Sequence, residues 1–213
     1  VVLYFSPSVD ANGQVSIQDI AIQDVVHPGY VAGNWYAPAP STLGAGQATT
    51  TGAIRMIPFF LPRPITIQAL AVRITTLVAS GNVKVAIYTN NPATANPAGL
   101  PLAQTGDLTT AAAGTVSETL GTNVRLESGT YWMALQVDST AGTGGVVLQT
   151  YPTSYAGSAF LTGGTLANIS SAAATSAPTR TVAQAYGTFP DMTGASISQG
   201  AASNTCVVFL QAA

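Results

Sequence analysis

Between Asn82 and Val137 the chain alternates residue types with the two-residue period of a β-strand and is interrupted by residues that force the backbone to turn. Val83, Val85 and Ile87 alternate with Lys84, Ala86 and Tyr88, which predicts a strand with one buried face. Asn90-Asn91-Pro92 and Gly99-Leu100-Pro101 predict turns. Asparagine and glycine tolerate left-handed backbone, and proline fixes φ while donating no ladder bond. Ser128-Gly129 reads as a tight reversal between Val124-Arg125-Leu126 and a further strand whose Tyr131, Met133, Leu135 and Val137 share a face.

The same grammar extends in both directions. A short strand is expected around residues 34–37, a second over 54–60 ended by the Pro58, Pro62 and Pro64 series, and a long one over 65–77. In the last, Leu70, Val72 and Ile74 face one way while Ala71, Arg73 and Thr75 face the other. Residues 146–150 add a strand, and the nearly continuous apolar run of 204–211 suits a central position. The Ser-, Ala-, Thr- and Gly-rich tract between Tyr151 and Asn204 is too long to be a structureless loop, so Phe160-Leu161 and 181–186 are read as short strands. No helix is predicted, because glycine and threonine break up the alanines and Glu/Lys pairs are missing. The expected fold is all-β, a jelly-roll-like antiparallel β-sandwich with an extended N-terminal arm. The division falls into an arm and oligomerisation segment over 1–32 and a sandwich domain over 33–213. In the arm, the apolar patches 1–5 and 17–26 flank Asp10-Ala11-Asn12-Gly13, whose Asn-Gly pair is a hairpin signal.

Charge bounds the function. Asp, Glu, Lys and Arg make up 7% of the residues, against roughly 25% in average globular proteins, and the formal net charge is −2. A surface solvated mainly by hydroxyls and amides suits a protein fixed in an assembly or working outside the cell. The basic residues Arg55, Arg63, Arg73, Lys84, Arg125 and Arg180 are scattered, so there is no stripe for nucleic acid. No apolar run reaches the roughly 18 to 20 residues of a membrane-spanning helix, and residues 1–5 lack the flank and length of a signal peptide. Cys206 is the single cysteine, and it reads as a buried small hydrophobe.

Chemical motifs are sparse. His27 is the only histidine and lies in a turn-like His27-Pro28-Gly29-Tyr30. The sequence holds no Gly-x-Ser-x-Gly elbow, His-Glu-x-x-His pair, phosphate loop or dinucleotide fingerprint. No catalytic residue, metal ligand or cofactor-binding residue is assigned. Paired carboxylates of a glycosidase would have to come from Asp107, Glu118, Glu127, Asp138 or Asp191, most of which fall where turns or solvated faces are expected. Asp10-Ala11-Asn12-Gly13 shares a fragment of a calcium loop but lacks the following oxygen ligands. The better binding candidates are aromatic residues on loops, because sugars present C–H faces that stack on Trp and Tyr. Trp35, Tyr36, Tyr151, Tyr155 and Tyr186 fit that description, while Trp132 either faces outward or fills a second sheet contact.

Residues 83–88, Gly99-Leu100-Pro101 and 124–135, flanked by 55–60 and 186–190, resemble a β-sandwich module of tailed-bacteriophage tail-fibre, tail-tip and other virion appendage proteins. The resemblance covers roughly Gly33 to Ala213 and is one of strands and turns. It implies a non-enzymatic virion protein on the particle surface, a homo-oligomer with a trimer favoured, contacts with other virion proteins and attachment to host-surface carbohydrate. Neither nucleic-acid binding nor membrane insertion is expected. The rival expectations are a secreted, monomeric carbohydrate-binding module and a glycan-degrading enzyme.

Overall fold

A computed structural model describes residues 3–4, 7–9, 15–17, 21–22, 29–37, 44–48, 51–138, 146–150, 179–199 and 206–213. The chain divides into two compact units, 1–30 and 31–213. The first contains β1 (Leu3–Tyr4), β2 (Pro7–Val9), β3 (Val15–Ile17) and β4 (Ala21–Ile22). In it β1 pairs β4 and β2 pairs β3, both antiparallel. The β2 and β3 strands flank the Asn12-Gly13 hairpin signal, which itself lies outside the described residues, as does His27.

The second unit contains β5 (Trp35–Tyr36), β6 (Gly44–Ala48), β7 (Ala53–Leu61), β8 (Ile65–Thr76), β9 (Asn82–Asn91), β10 (Asn96–Gln104) and β11 (Leu108–Thr109). It continues with β12 (Gly114–Leu126), β13 (Gly129–Val137), β14 (Val147–Thr150), β15 (Arg180–Ala183), β16 (Ser198–Gln199) and β17 (Phe209–Ala212). Among the described residues there is no helix. A seven-stranded sheet runs β10-β9-β13-β7-β15-β16 with β11 on β9, and a six-stranded sheet runs β5-β17-β8-β14-β6 with β12 on β8. The antiparallel pairs are nested in sequence: β9 with β10, outside them β8 with β12, then β7 with β13, then β6 with β14. Successive pairs alternate between the two sheets. One long hairpin rolled over on itself produces this order, and that is the jelly-roll sandwich.

The inner face of the seven-stranded sheet is identified by Arg55, which shares its side of β7 with Ile57 and Phe59 and lies near enough to Cys206 that its charge would favour the thiolate. Cys206 bridges Thr150 at the end of β14, in the other sheet. Burial pushes the Cys206 thiol up to about 12, which leaves it neutral and inert. Residues 206–208 and Leu210 are buried, and β17 lies between β5 and β8, matching the central position expected of the terminal apolar run.

Several local expectations change. The 82–88 segment buries both faces, since Ala86 and Tyr88 are as inaccessible as Val83, Val85 and Ile87. The reason is a segment carrying Phe189 and Met192 that covers the outer face. Ser128-Gly129 is not a hairpin turn: β12 hydrogen-bonds to β8 in one sheet and β13 to β7 and β9 in the other, so residues 127–128 carry the chain between layers. Gly129 has φ 154°, a positive-φ extended conformation that side chains resist, rather than left-handed helical backbone. Pro58 does not end its strand: β7 runs through it to Leu61 and pairs with β13 from Arg55 to Leu61. Gly99-Leu100-Pro101 is no turn either. It forms a bulge inside β10, where the register with β9 jumps between Ala98 and Ala103 and Gly99 takes φ 69°.

Finally, β8 does not keep one phase. Ile65, Ile67 and Ala69 are buried in its first half, and Leu70, Val72 and Ile74 in its second. Both neighbours shift register across Gln68: against β17 the extra residue lies on β8, and against β12 the extra residues lie on β12 between Thr119 and Val124, and in each case the odd offset moves the inward set to the other parity. Asn91 makes the turn after β9 as expected: its Oδ1 accepts from Ala93 N at 2.9 Å and its carbonyl from Ala95 N at 2.8 Å.

Candidate functional site

The outer face of the seven-stranded sheet is where side chains of different chemistry converge. By strand alternation Ile54 and Met56 of β7, Ala86 and Tyr88 of β9, and Trp132 and Ala134 of β13 point away from the sandwich interior, and all six are buried. They are covered by the chain after β15, whose Phe189 and Met192 complete a second hydrophobic core with Val182, Ala195 and Ile197. Phe189 meets Tyr88 edge to face, with centroids 6.3 Å apart and planes at 76°. The cover is fastened by hydrogen bonds along its length. Tyr88 Oη donates to Pro190 O at 2.9 Å, Met192 N to Gly99 O at 2.9 Å, and Gly187 N to Gln136 Oε1 at 3.2 Å. Burial pushes the Tyr88 phenol well above the usual tyrosine value.

One end of the cover is clasped by charge. Lys84 Nζ lies 3.3 Å from Asp107 Oδ1, donates to Gly187 O at 3.4 Å and sits 5.1 Å from the Tyr186 ring centroid. Tyr186 Oη donates to Asp107 Oδ1 at 2.6 Å. That bond, and secondarily Lys84, holds the Asp107 carboxyl below its ordinary value, while burial and the Asp107 bond drive the Tyr186 phenol upward.

A different cluster stands beyond the other end. Trp132 Nε1 donates to Asn90 Oδ1 at 2.8 Å. Arg180, at the start of β15, lays its guanidinium 5.7 Å from the Trp132 ring centroid and donates from Nε to Asn96 Oδ1 at 2.9 Å and from Nη1 to Thr179 O at 3.4 Å. Burial draws the Arg180 pKa downward. One row further along this face, Phe60 pairs with Thr130 and is 49% exposed. The β9–β10 register sets Asn90 opposite Pro97 and Asn91 opposite Asn96 at the end of this hairpin, and it is the bonds to Trp132 and Arg180, not strand alternation, that bring the Asn90 and Asn96 amides to one corner.

The aromatic residues singled out in the sequence do not form one platform. Trp35 and Tyr36 lie on β5, an edge of the six-stranded sheet. Trp35 is 41% exposed, whereas Tyr36 is half-buried and its hydroxyl accepts from Val31 N at 2.7 Å. Successive strand residues point to opposite faces, which separates even this pair. Tyr186 belongs to the clasp on the other sheet. Tyr151 and Tyr155 lie outside the described residues. Trp132 points outward yet is fully covered.

Each of the five carboxylates considered for catalysis has its own local contact. Asp107 is in the clasp, and Glu118 Oε2 accepts from Gly106 N at 2.9 Å. Glu127 pairs with Arg125 at 2.6 Å. Asp138 accepts from the backbone and side-chain nitrogens of Asn82, and Asp191 Oδ1 from Thr193 N at 2.7 Å in an Asx turn. Among the described residues no group of three or more His, Cys, Asp or Glu is placed to hold a metal ion. What periodicity could not reveal is the corner of Asn90, Asn96, Trp132 and Arg180, which joins residues up to ninety positions apart. Its faint sequence trace is Phe60, an outward aromatic in an otherwise buried run. No protein-family model matches the chain, and no curated protein matches it either.

Proposed function

We propose that the chain is a non-enzymatic protein of a bacteriophage virion, in a tail fibre, tail tip or decoration appendage, that builds the particle surface as a homo-oligomer, a trimer being favoured, and attaches to carbohydrate on the host envelope. The observation that carries this reading is the state of the sheet edges. Leu100 and Leu102 on the β10 edge are 66% and 39% exposed, and at the β5 edge Trp35 and neighbouring Val31 are also in water. Strand edges bearing apolar side chains invite pairing with another chain, and the sparse charge of this protein offers little repulsion against it. A symmetric assembly covers such edges. The resemblance of 55–60, 83–88 and 124–135 to virion appendage modules points in the same direction.

Light scattering on the purified chain tests the assembly. A homo-oligomer is expected, and Leu100→Glu combined with Leu102→Lys is expected to weaken it. A monodisperse monomer at micromolar concentration refutes the oligomer. If that monomer still binds bacterial polysaccharide, the secreted carbohydrate-binding module takes its place. Adsorption of the fluorescently labelled chain to intact bacteria tests attachment.

A further inference from the structure

Of the cations on the seven-stranded sheet and its cover, Lys84 is neutralised by Asp107, but among the described residues no carboxylate pairs with Arg180. Arg180 is nonetheless held in place: Asn96 fixes Nε, Thr179 takes Nη1, and Cζ lies over the Trp132 ring, 5.7 Å from its centroid. The two amides beside it are oriented by the same network. Asn90 spends its oxygen on Trp132 Nε1 and Asn96 spends its oxygen on Arg180 Nε, so each presents NH2 as its remaining group. The oxygens of the corner are thus already accepting, and what it has left to offer is the positive charge, remaining guanidinium N–H groups and two amide NH2 groups, on side chains already immobilised at the cost of folding. Phe60 adds a half-exposed apolar face one row away, about 7 to 8 Å from Trp132 by the usual diagonal spacing of a sheet.

We propose that Arg180, Asn90 and Asn96, with Phe60, form a binding site for an acidic sugar. The guanidinium and amides take the carboxylate of a uronic acid, and Phe60 packs against a C–H face of its ring. With Nε taken by Asn96, the carboxylate is left the Nη edge of the guanidinium, and an acceptor-only group meets those N–H groups and the two amides without bringing a donor that would go unpaired. As the ligand class of the attachment function, the proposal rests on that reading for its biological setting.

The test is calorimetric titration of the full chain with galacturonic acid trisaccharide, with its carboxyl-reduced neutral counterpart, and with inorganic sulfate. The acidic trisaccharide is expected to bind at least about tenfold tighter than the neutral one. Arg180→Gln is expected to remove that preference. Asn96→Asp, nearly isosteric, gives Arg180 an internal carboxylate; it should abolish binding as fully while the protein melts no lower than wild type. Phe60→Ala should weaken the trisaccharide and leave sulfate unaffected. Equal affinity for acidic and neutral sugars, or binding that survives both Arg180→Gln and Asn96→Asp, overturns the proposal. Sulfate binding as tight as the trisaccharide overturns the assignment to a sugar. Bacterial adsorption that persists without acidic-sugar binding removes this site and leaves attachment standing, whereas acidic-sugar binding without adsorption does the reverse.

Discussion

Replacing Phe189 with alanine tests whether the outer core belongs to the cooperative fold or is a separable flap. Phe189 is 2% exposed and packs edge to face on Tyr88 in a cluster that includes Trp132 and Met192. Burying a phenylalanine side chain is worth about 1.5 to 3 kcal/mol in transfer alone. An aromatic pair adds about 0.5 to 1.5 kcal/mol, and the residual cavity raises the usual Phe→Ala cost to about 3 to 5 kcal/mol. The cover has further anchors that retain it in the variant, namely Tyr88 to Pro190, Met192 to Gly99 and Tyr186 to Asp107, so the cavity is expected to persist rather than collapse. For a unit of this size a loss of about 3 kcal/mol lowers Tm by roughly 6 to 12 °C. Urea unfolding followed by far-ultraviolet circular dichroism and by tryptophan fluorescence gives the measurement, the two probes moving together with an unchanged slope. A loss below about 1 kcal/mol, or a fluorescence transition that precedes the loss of strand signal, refutes the outer core as part of the cooperative unit.

Gly129→Ala places a β-carbon at φ 154° where nothing crowds it, so its cost is purely backbone strain. About 1 to 2 kcal/mol is expected from the denaturant midpoint, and an unchanged midpoint would refute the strained crossover between sheets. The clasp predicts a direction for pH. Asp107 is held below its ordinary value of 3.8, so its contribution is fully present above that pH and is lost as the pH falls through the lower folded value. Carboxyl carbon shifts of Asp107 followed by nuclear magnetic resonance should titrate below 3.8 and move back toward it in Tyr186→Phe; a midpoint indifferent to that substitution contradicts the Tyr186 hydroxyl as the main cause.

Alternation and turn residues alone determined that the chain is all-β and sandwich-like, because period-two burial and the conformational limits of proline, glycine and asparagine act within a few residues. Strands at 35–36, 53–61, 65–76, 82–91, 129–137 and 147–150 lie where those local rules put them, whereas the strand expected over 181–186 is Arg180–Ala183 and the described strand within 204–213 is only Phe209–Ala212. Tertiary structure decided everything that depends on which strands meet. Ser128-Gly129 looks like a hairpin turn because a hairpin and a crossover between sheets both demand a short polar link with glycine; only the prior claim of β8 on β12 separates them. Lys84, Ala86 and Tyr88 read as a solvent face because local alternation cannot register a cover that arrives about a hundred residues later with Phe189 and Met192. The same holds for the candidate site. Trp35, Tyr36 and Tyr186 were visible as aromatic residues near loops, yet they stand on different sheets or serve the clasp. Arg180 and Asn96 carry no motif and Asn90 only a turn signal, and their shared corner exists because β15, added to the rolled hairpin alongside β7, sets its arginine over a tryptophan of β13.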